Sequence, residues 1–149
     1  MGVGIVDIKN TSFTPVFYDV IKTRPDDSLD HKLETLYDGL LETIQKYAPT
    51  VLSIEEAFYG KNARTALLMG HVRGVIMIGG RHSDLPVYEY AARKVKSSVT
   101  GNGNATKEQV QFMVQRLLSL KEAPTPLDAS DALAIAICHG LNARSQSLK

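Results

Sequence analysis

A single cysteine, Cys138, stands among 149 residues, so neither an intrachain disulfide nor a cysteine zinc cage can form. That scarcity fits a reducing compartment, and the apolar helical setting of Cys138 points to a buried thiol rather than a reactive one. Long hydrophobic runs are missing as well. The longest, Gly74 to Gly80, is too short to cross a bilayer. Met1-Gly-Val-Gly-Ile-Val-Asp7 has neither a basic n-region nor a long apolar core, so no signal peptide is visible. The expectation is a soluble, cytoplasmic protein with no membrane partner. An excess of charge of one sign is also lacking: the formal net charge is +1. Such balance excludes no class of partner, because a nucleic-acid protein need only concentrate its basic residues locally. The hydrophobic share of 44% and charged share of 22% are ordinary globular values. The length suits one domain over residues 1–149, with a real core.

What stands out is where the acids fall. Glu55-Glu56 closes the apolar run Val51-Leu52-Ser53-Ile54, and Asp128-Ala-Ser-Asp131 opens the apolar run Ala132 to Cys138. The end of a buried strand and the head of a buried helix are costly places for unpaired charge. No basic residue adjoins either cluster, so the candidate counter-charge is a hard divalent cation, which prefers oxygen ligands. Asp128 and Asp131 are three apart and share a helix face. Strand-end and helix-start carboxylates converging on magnesium suit metal-assisted phosphodiester cleavage. The plainer alternative is that Asp128 caps its helix and Asp131 complements the dipole.

Strands and helices alternate along the chain. Val3 to Ile8 and Val16 to Lys22 read as an antiparallel hairpin joined through Asn10 to Pro15. Leu33, Leu36, Tyr37, Leu40, Leu41, Ile44 and Tyr47 follow helical spacing, and Pro49 stops that helix. Val51 to Ile54 and Val87 to Tyr90 are short strands, Lys61 to Gly80 a long helix, and Ala91 to Val99 a short one. Thr100-Gly-Asn-Gly-Asn104 is a loop by composition, and Thr106 to Gln109 resembles a capping box. The last helix reads as Ala129 to Leu141. Paired strands followed by strand–helix alternation indicate an α/β fold, a mixed sheet flanked by helices.

Two further patterns bear on partners. The helix 61–80 is apolar nearly all round, with Ala63, Ala66, Leu67, Gly70 and Gly74 in one small-residue stripe. Such a helix is either wholly buried or shared with a second copy, which favours a two-fold homodimer. Basic residues gather just past strand ends: Lys61 and Arg64 with Asn62, then Arg93, Lys94 and Lys96, then Lys107. There they would hold a DNA backbone without reading its sequence; solvated helix ends are the alternative for any one group. Phe58, just past the acidic pair, either stacks on bases or anchors its own loop.

The segment from Ile54 to Gly74, Ile-Glu-Glu-Ala-Phe-Tyr-Gly-Lys-Asn-Ala-Arg-Thr-Ala-Leu-Leu-Met-Gly-His-Val-Arg-Gly, closely resembles the strand-to-helix signature of bacterial RuvC Holliday-junction resolvases. Pro86 to Lys96, Thr100-Gly-Asn-Gly, Lys107 to Gln111 and Leu127 to Ala136 continue that pattern in the family's order. The resemblance runs from about Gly2 to His139 and implies a ribonuclease-H-like fold. It also implies a homodimer through the helix 61–80 and magnesium-dependent, symmetric nicking of four-way junction DNA in recombination and repair. Two Mg2+ ions per site and a RuvA–RuvB branch-migration partner belong to the same implication. Glu55 matches the family's second catalytic carboxylate, and Asp128 and Asp131 the third and fourth. Phe58 matches the aromatic near the crossover, and Lys96 and Lys107 match basic residues at the active site and DNA surface.

One departure stands against the family pattern: the strand ending in a Gly-Ile-Asp-Pro-Gly type motif, which carries the first carboxylate, is not in this chain. Gly2 to Ile8 aligns better with the strand that follows it, so Asp7 is expected toward the hairpin turn and not in the first carboxylate's place. In the resembling fold the absent strand is central. Its loss would part its neighbours to about 10 Å instead of about 5 Å and leave both edges unpaired. A nuclease domain truncated at its N-terminus is one expectation, and a catalytically impaired junction-binding protein the competing one.

Overall fold

A computed structural model describes residues 1–56 and 62–147. The chain divides into two compact units, one built from residues 1–20 and 90–149, the other from residues 21–89.

The first unit opens with β1 (Gly2–Lys9) and β2 (Ser12–Val20), an antiparallel hairpin in which Ile8 faces Phe13 and Lys9 faces Ser12. The turn is shorter than the sequence led us to expect. Proline suggested a loop through Pro15, but Phe13 packs against the core and keeps its segment in the ladder. Pro15, which has no amide hydrogen to donate, is accommodated where the register shifts opposite Ile5 and Val6. Asn10 takes the left-handed backbone conformation that the tight turn needs (φ 51°). The unit resumes after β4 (Val87–Tyr90) with α3 (Ala92–Thr100), α4 (Lys107–Leu117) and α5 (Leu127–Ser147). Thr106 and Gln109 form the expected reciprocal capping box at the head of α4.

α5 is the centre of this unit, and it is longer than the expected Ala129 to Leu141. Ala129, Leu133, Ile137 and Cys138 are fully buried, the last three in one cluster with Val95, Val99, Val110, Val114 and Leu118. Burial raises the Cys138 thiol pKa, as expected for a structural cysteine. Even-numbered residues of β1 face α5, and Ile8 lies where a side chain at Gly140 would fall. His139, 9% exposed, shares a 2.9 Å hydrogen bond between Nδ1 and the Tyr90 hydroxyl.

The second unit holds α1 (Leu29–Tyr47), β3 (Leu52–Glu55), α2 (Ala63–His82) and most of β4. Ala48 ends α1 in the left-handed conformation, just ahead of Pro49. α1 and α2 pack through Leu40 and Tyr37 against Gly79, and the Tyr37 hydroxyl meets His82 Nδ1 at 2.6 Å. Gly80 leaves room for Leu52 and Val87, while Arg73 reaches from α2 to form an ion pair with Glu89 of β4. Among the described residues the strands pair as two two-stranded sheets, β1 with β2 and β3 with β4.

Burial holds the His139 imidazole below its ordinary value of 6.5. Between the two values the unfolded chain binds the proton and the folded one does not, so this contribution to stability is complete above 6.5 and falls as pH drops below it. From about pH 7 to about pH 5 the urea midpoint of the parent should fall more than that of His139→Gln. Parallel curves for the two proteins would show that His139 contributes nothing to the pH dependence.

Candidate nucleic-acid and metal site

In the first unit the acidic head of α5 follows directly from how the helix begins. The amides of Ala129 and Ser130 donate to the Pro126 carbonyl, which places Asp128 inside the first turn and not at the cap. Asp128 therefore sits where the helix dipole favours negative charge, and Asp131 follows one turn later. Asp128 is exposed and Asp131 half-buried, while Ala129 and Ser130 between them face the interior. The Ser130 hydroxyl is 1% exposed with no hydrogen-bond partner among the described residues.

Lys107, at the start of α4, brings its ammonium nitrogen to 3.6 Å from Asp131 Oδ2. This pairing joins two residues the sequence had marked separately, and no spacing rule could have found it, since they stand on different helices far apart in the chain. With side chains 63% and 42% exposed, it is a loose pair that solvent screens. Beside it Glu108 is held below the usual carboxylate range by its own backbone amide and the Thr106 hydroxyl. On α3, Arg93 and Lys94 are exposed and Lys96 is half-buried. The aliphatic stem of Arg93 lies against Gly103 of the glycine-rich loop, which holds that side chain along the loop.

In the second unit Glu55 ends β3, exposed, after the buried Ile54. Phe58 and Lys61 lie outside the described residues. Asn62 has a structural role that its grouping with basic residues concealed: its side-chain oxygen accepts from the amides of Arg64 and Thr65, at 3.1 and 3.2 Å, and caps α2. α2 accordingly begins at Ala63, two residues later than the spacing predicted. Arg64 is exposed on its first turn.

The first half of α2 is not buried within the unit. Leu67 is 64% exposed and Met69 57%, and no described residue lies within 4 Å of where a side chain at Gly70 or Gly74 would begin. Asp7 sits near the hairpin turn as expected, opposite Thr14 and 3.1 Å from Lys9. Among the described residues no three acidic, histidine or cysteine side chains gather into a metal cage. No helix is long and apolar enough to cross a membrane among them.

Three comparisons bear on this arrangement. The family model described as "Crossover junction endodeoxyribonuclease RuvC" matches residues 1–139. A crossover junction endodeoxyribonuclease RuvC from Desulforamulus reducens is 48% identical over 93% of this chain and 85% of its own length. One from Caldanaerobacter subterraneus is 45% identical over 93% of this chain and 84% of its own. Among solved structures, Thermus thermophilus RuvC in complex with Holliday junction substrate is 32% identical, covering 98% of this chain and 89% of that one with a TM-score of 0.92. The expected mixed α/β, ribonuclease-H-like class is thereby borne out.

Removing the cap in Asn62→Ala is expected to cost about 1 kcal/mol of stability in urea unfolding, and Asn62→Asp to retain most of it. Equal losses for the two would show that the cap contributes nothing.

Proposed function

Because the chain belongs to the RuvC family of crossover junction endodeoxyribonucleases, we propose that it resolves Holliday junctions by magnesium-dependent, symmetric nicking of two strands. The observation that carries the reading is the exposed acidic head of α5 paired with Lys107, on a chain alike over 98% of its length to a resolvase solved with junction DNA.

The donor chemistry fits magnesium. Carboxylate oxygens are hard ligands, and Mg2+ is usually held by one or two carboxylates with waters and substrate phosphates making up the rest. Asp128, Asp131 and Glu55 are the proposed ligands. Bound there, the metal supplies Lewis-acid stabilisation and an activated water. The chain's own side chains do the remainder. Lys107, 3.6 Å from Asp131, balances that carboxylate when DNA is absent and turns to the phosphate when it is present. Lys96 is proposed beside it. Phe58, Lys61, Asn62, Arg64, Arg93 and Lys94 are proposed to hold the junction, mainly through backbone phosphates.

The exposed apolar turns of α2 support a homodimer. Leu67, Leu68, Met69 and Ile78 are each at least 46% exposed, a concentration of large apolar side chains on one helix that suits cover by a second copy. Two subunits related by a two-fold axis would present two sites to a junction of near two-fold symmetry. Cytoplasmic residence and a RuvA–RuvB branch-migration partner complete the reading.

One observation favours a second reading, a junction-binding protein that does not cut: Asp7, the acid of β1, stands by the hairpin turn beside Lys9 and not in the first carboxylate's place. A synthetic four-way junction separates the two. Cutting that needs Mg2+ and is lost in Glu55→Gln, with junction binding kept within about threefold, supports the resolvase. Binding without cutting supports the second reading, and absence of binding overturns both. Gly70→Glu, on the exposed face of α2, is expected to convert a sedimenting dimer into monomer; a parent that is monomeric at micromolar concentration would sink the dimer.

A further inference from the structure

The face of β1 that meets α5 is graded in size. Residues two apart on a strand point to one side, so Gly2, Gly4, Val6 and Ile8 form a single row. A side chain on Gly2 would fall on the Asp128 carbonyl oxygen, inside any allowed contact. One on Gly4 would come to 2.8 Å from the Leu133 amide nitrogen and 3.1 Å from the Ala132 carbonyl carbon. Val6 packs against the core cluster, and Ile8 fills the space left by Gly140, where an added side chain would stand 2.5 Å from Cδ1. The strand has no side chains where the helix begins and large ones where it continues. The helix in turn has no side chain opposite the largest residue of the strand. Together these set the inclination of α5 on β1 and bring its first turn down onto the strand backbone.

The atoms that would clash at Gly2 and Gly4 are chiefly helix backbone, not the ends of flexible side chains. No rotamer change relieves such an overlap, so the helix itself must move. The turn that moves carries Asp128 and Asp131. At Gly140 the neighbours are the tips of Ile8 and Phe13, which can turn aside without moving the helix head.

We propose that Gly2 and Gly4 are positioning residues: by their bareness they fix how the head of α5 lies, and so where the two aspartates present their oxygens to a divalent cation. The proposal rests on the reading of Asp128 and Asp131 as cation ligands, and it assigns the glycines no contact with substrate.

The test uses Mn2+ as probe, followed by its paramagnetic resonance signal and by calorimetry, on the full chain. Gly4→Ala should weaken Mn2+ binding about tenfold, in the range seen when the support of a ligand is lost. Junction affinity in chelator should stay within about twofold of the parent. Gly140→Ala, with comparable thermal destabilisation, should bind Mn2+ as the parent does. If Gly4→Ala fails to fold, Gly2→Ala at the strand end gives the same comparison. Unchanged Mn2+ affinity in the folded glycine variant overturns the proposal, and so does an equal loss in Gly140→Ala, which would mean that general loosening is the cause. Asp131→Asn is the control on the underlying reading. If it binds Mn2+ as tightly as the parent, the ligand assignment fails, and if it loses binding while Gly4→Ala does not, only the positioning role fails.

Discussion

α5 must be buried along its length and charged at its head, and the unit formed by residues 1–20 and 90–149 is arranged around that demand. Leu133 and Ile137 have no exposure at all, and each such side chain contributes about 1.5–3 kcal/mol when taken from water. Asp128 and Asp131 cannot follow them inside without large cost. The conflict is resolved within one turn. Ala129 and Ser130 face inward and the two aspartates outward, because residues three apart share a face and those between them do not. The carboxylates are thus held by a helix whose position the core dictates, which gives them a firmer footing than a surface loop would.

α2 meets the opposite situation. Its last turns are clasped, with Gly79 against Leu40 and Gly80 against Leu52 and Val87. Its first turns, from Ala63 to His71, carry leucine and methionine into solvent. The Asn62 cap matters for this reason: the first turn of α2 has little packing to hold it, so it depends more on satisfied amides than a buried helix does.

Much of this could be read from the chain. The capping box at Thr106, the strand from Val87 to Tyr90 and the α1 stripe around Leu36 and Leu40 follow from local rules that tertiary packing did not override. The ends of elements were less legible. Pro15 argued for a loop, yet the burial of Phe13 kept the strand going; Asn62 was grouped with basic residues, and nothing in that grouping disclosed that its side-chain oxygen caps α2. Residues that act across elements could not be read at all. Nothing local links Lys107 to Asp131 or Tyr90 to His139, and the alternation Gly2-Val3-Gly4 acquires meaning only once a helix lies across it.

The unit around α5 is discontinuous in the chain. β1 and β2 precede everything from Ile21 to Glu89, and the helices that cover them follow it. A two-stranded hairpin is marginal in water without a partner, and closing so long an intervening segment carries an entropic cost before any contact repays it. During synthesis β1 and β2 therefore emerge well ahead of the helices that cover them. Val6, Ile8 and Phe13 lack that cover until α5 has emerged, so the hairpin is protected later than segments that pack on near neighbours, and it is there that chaperones and proteases have a long opportunity to act.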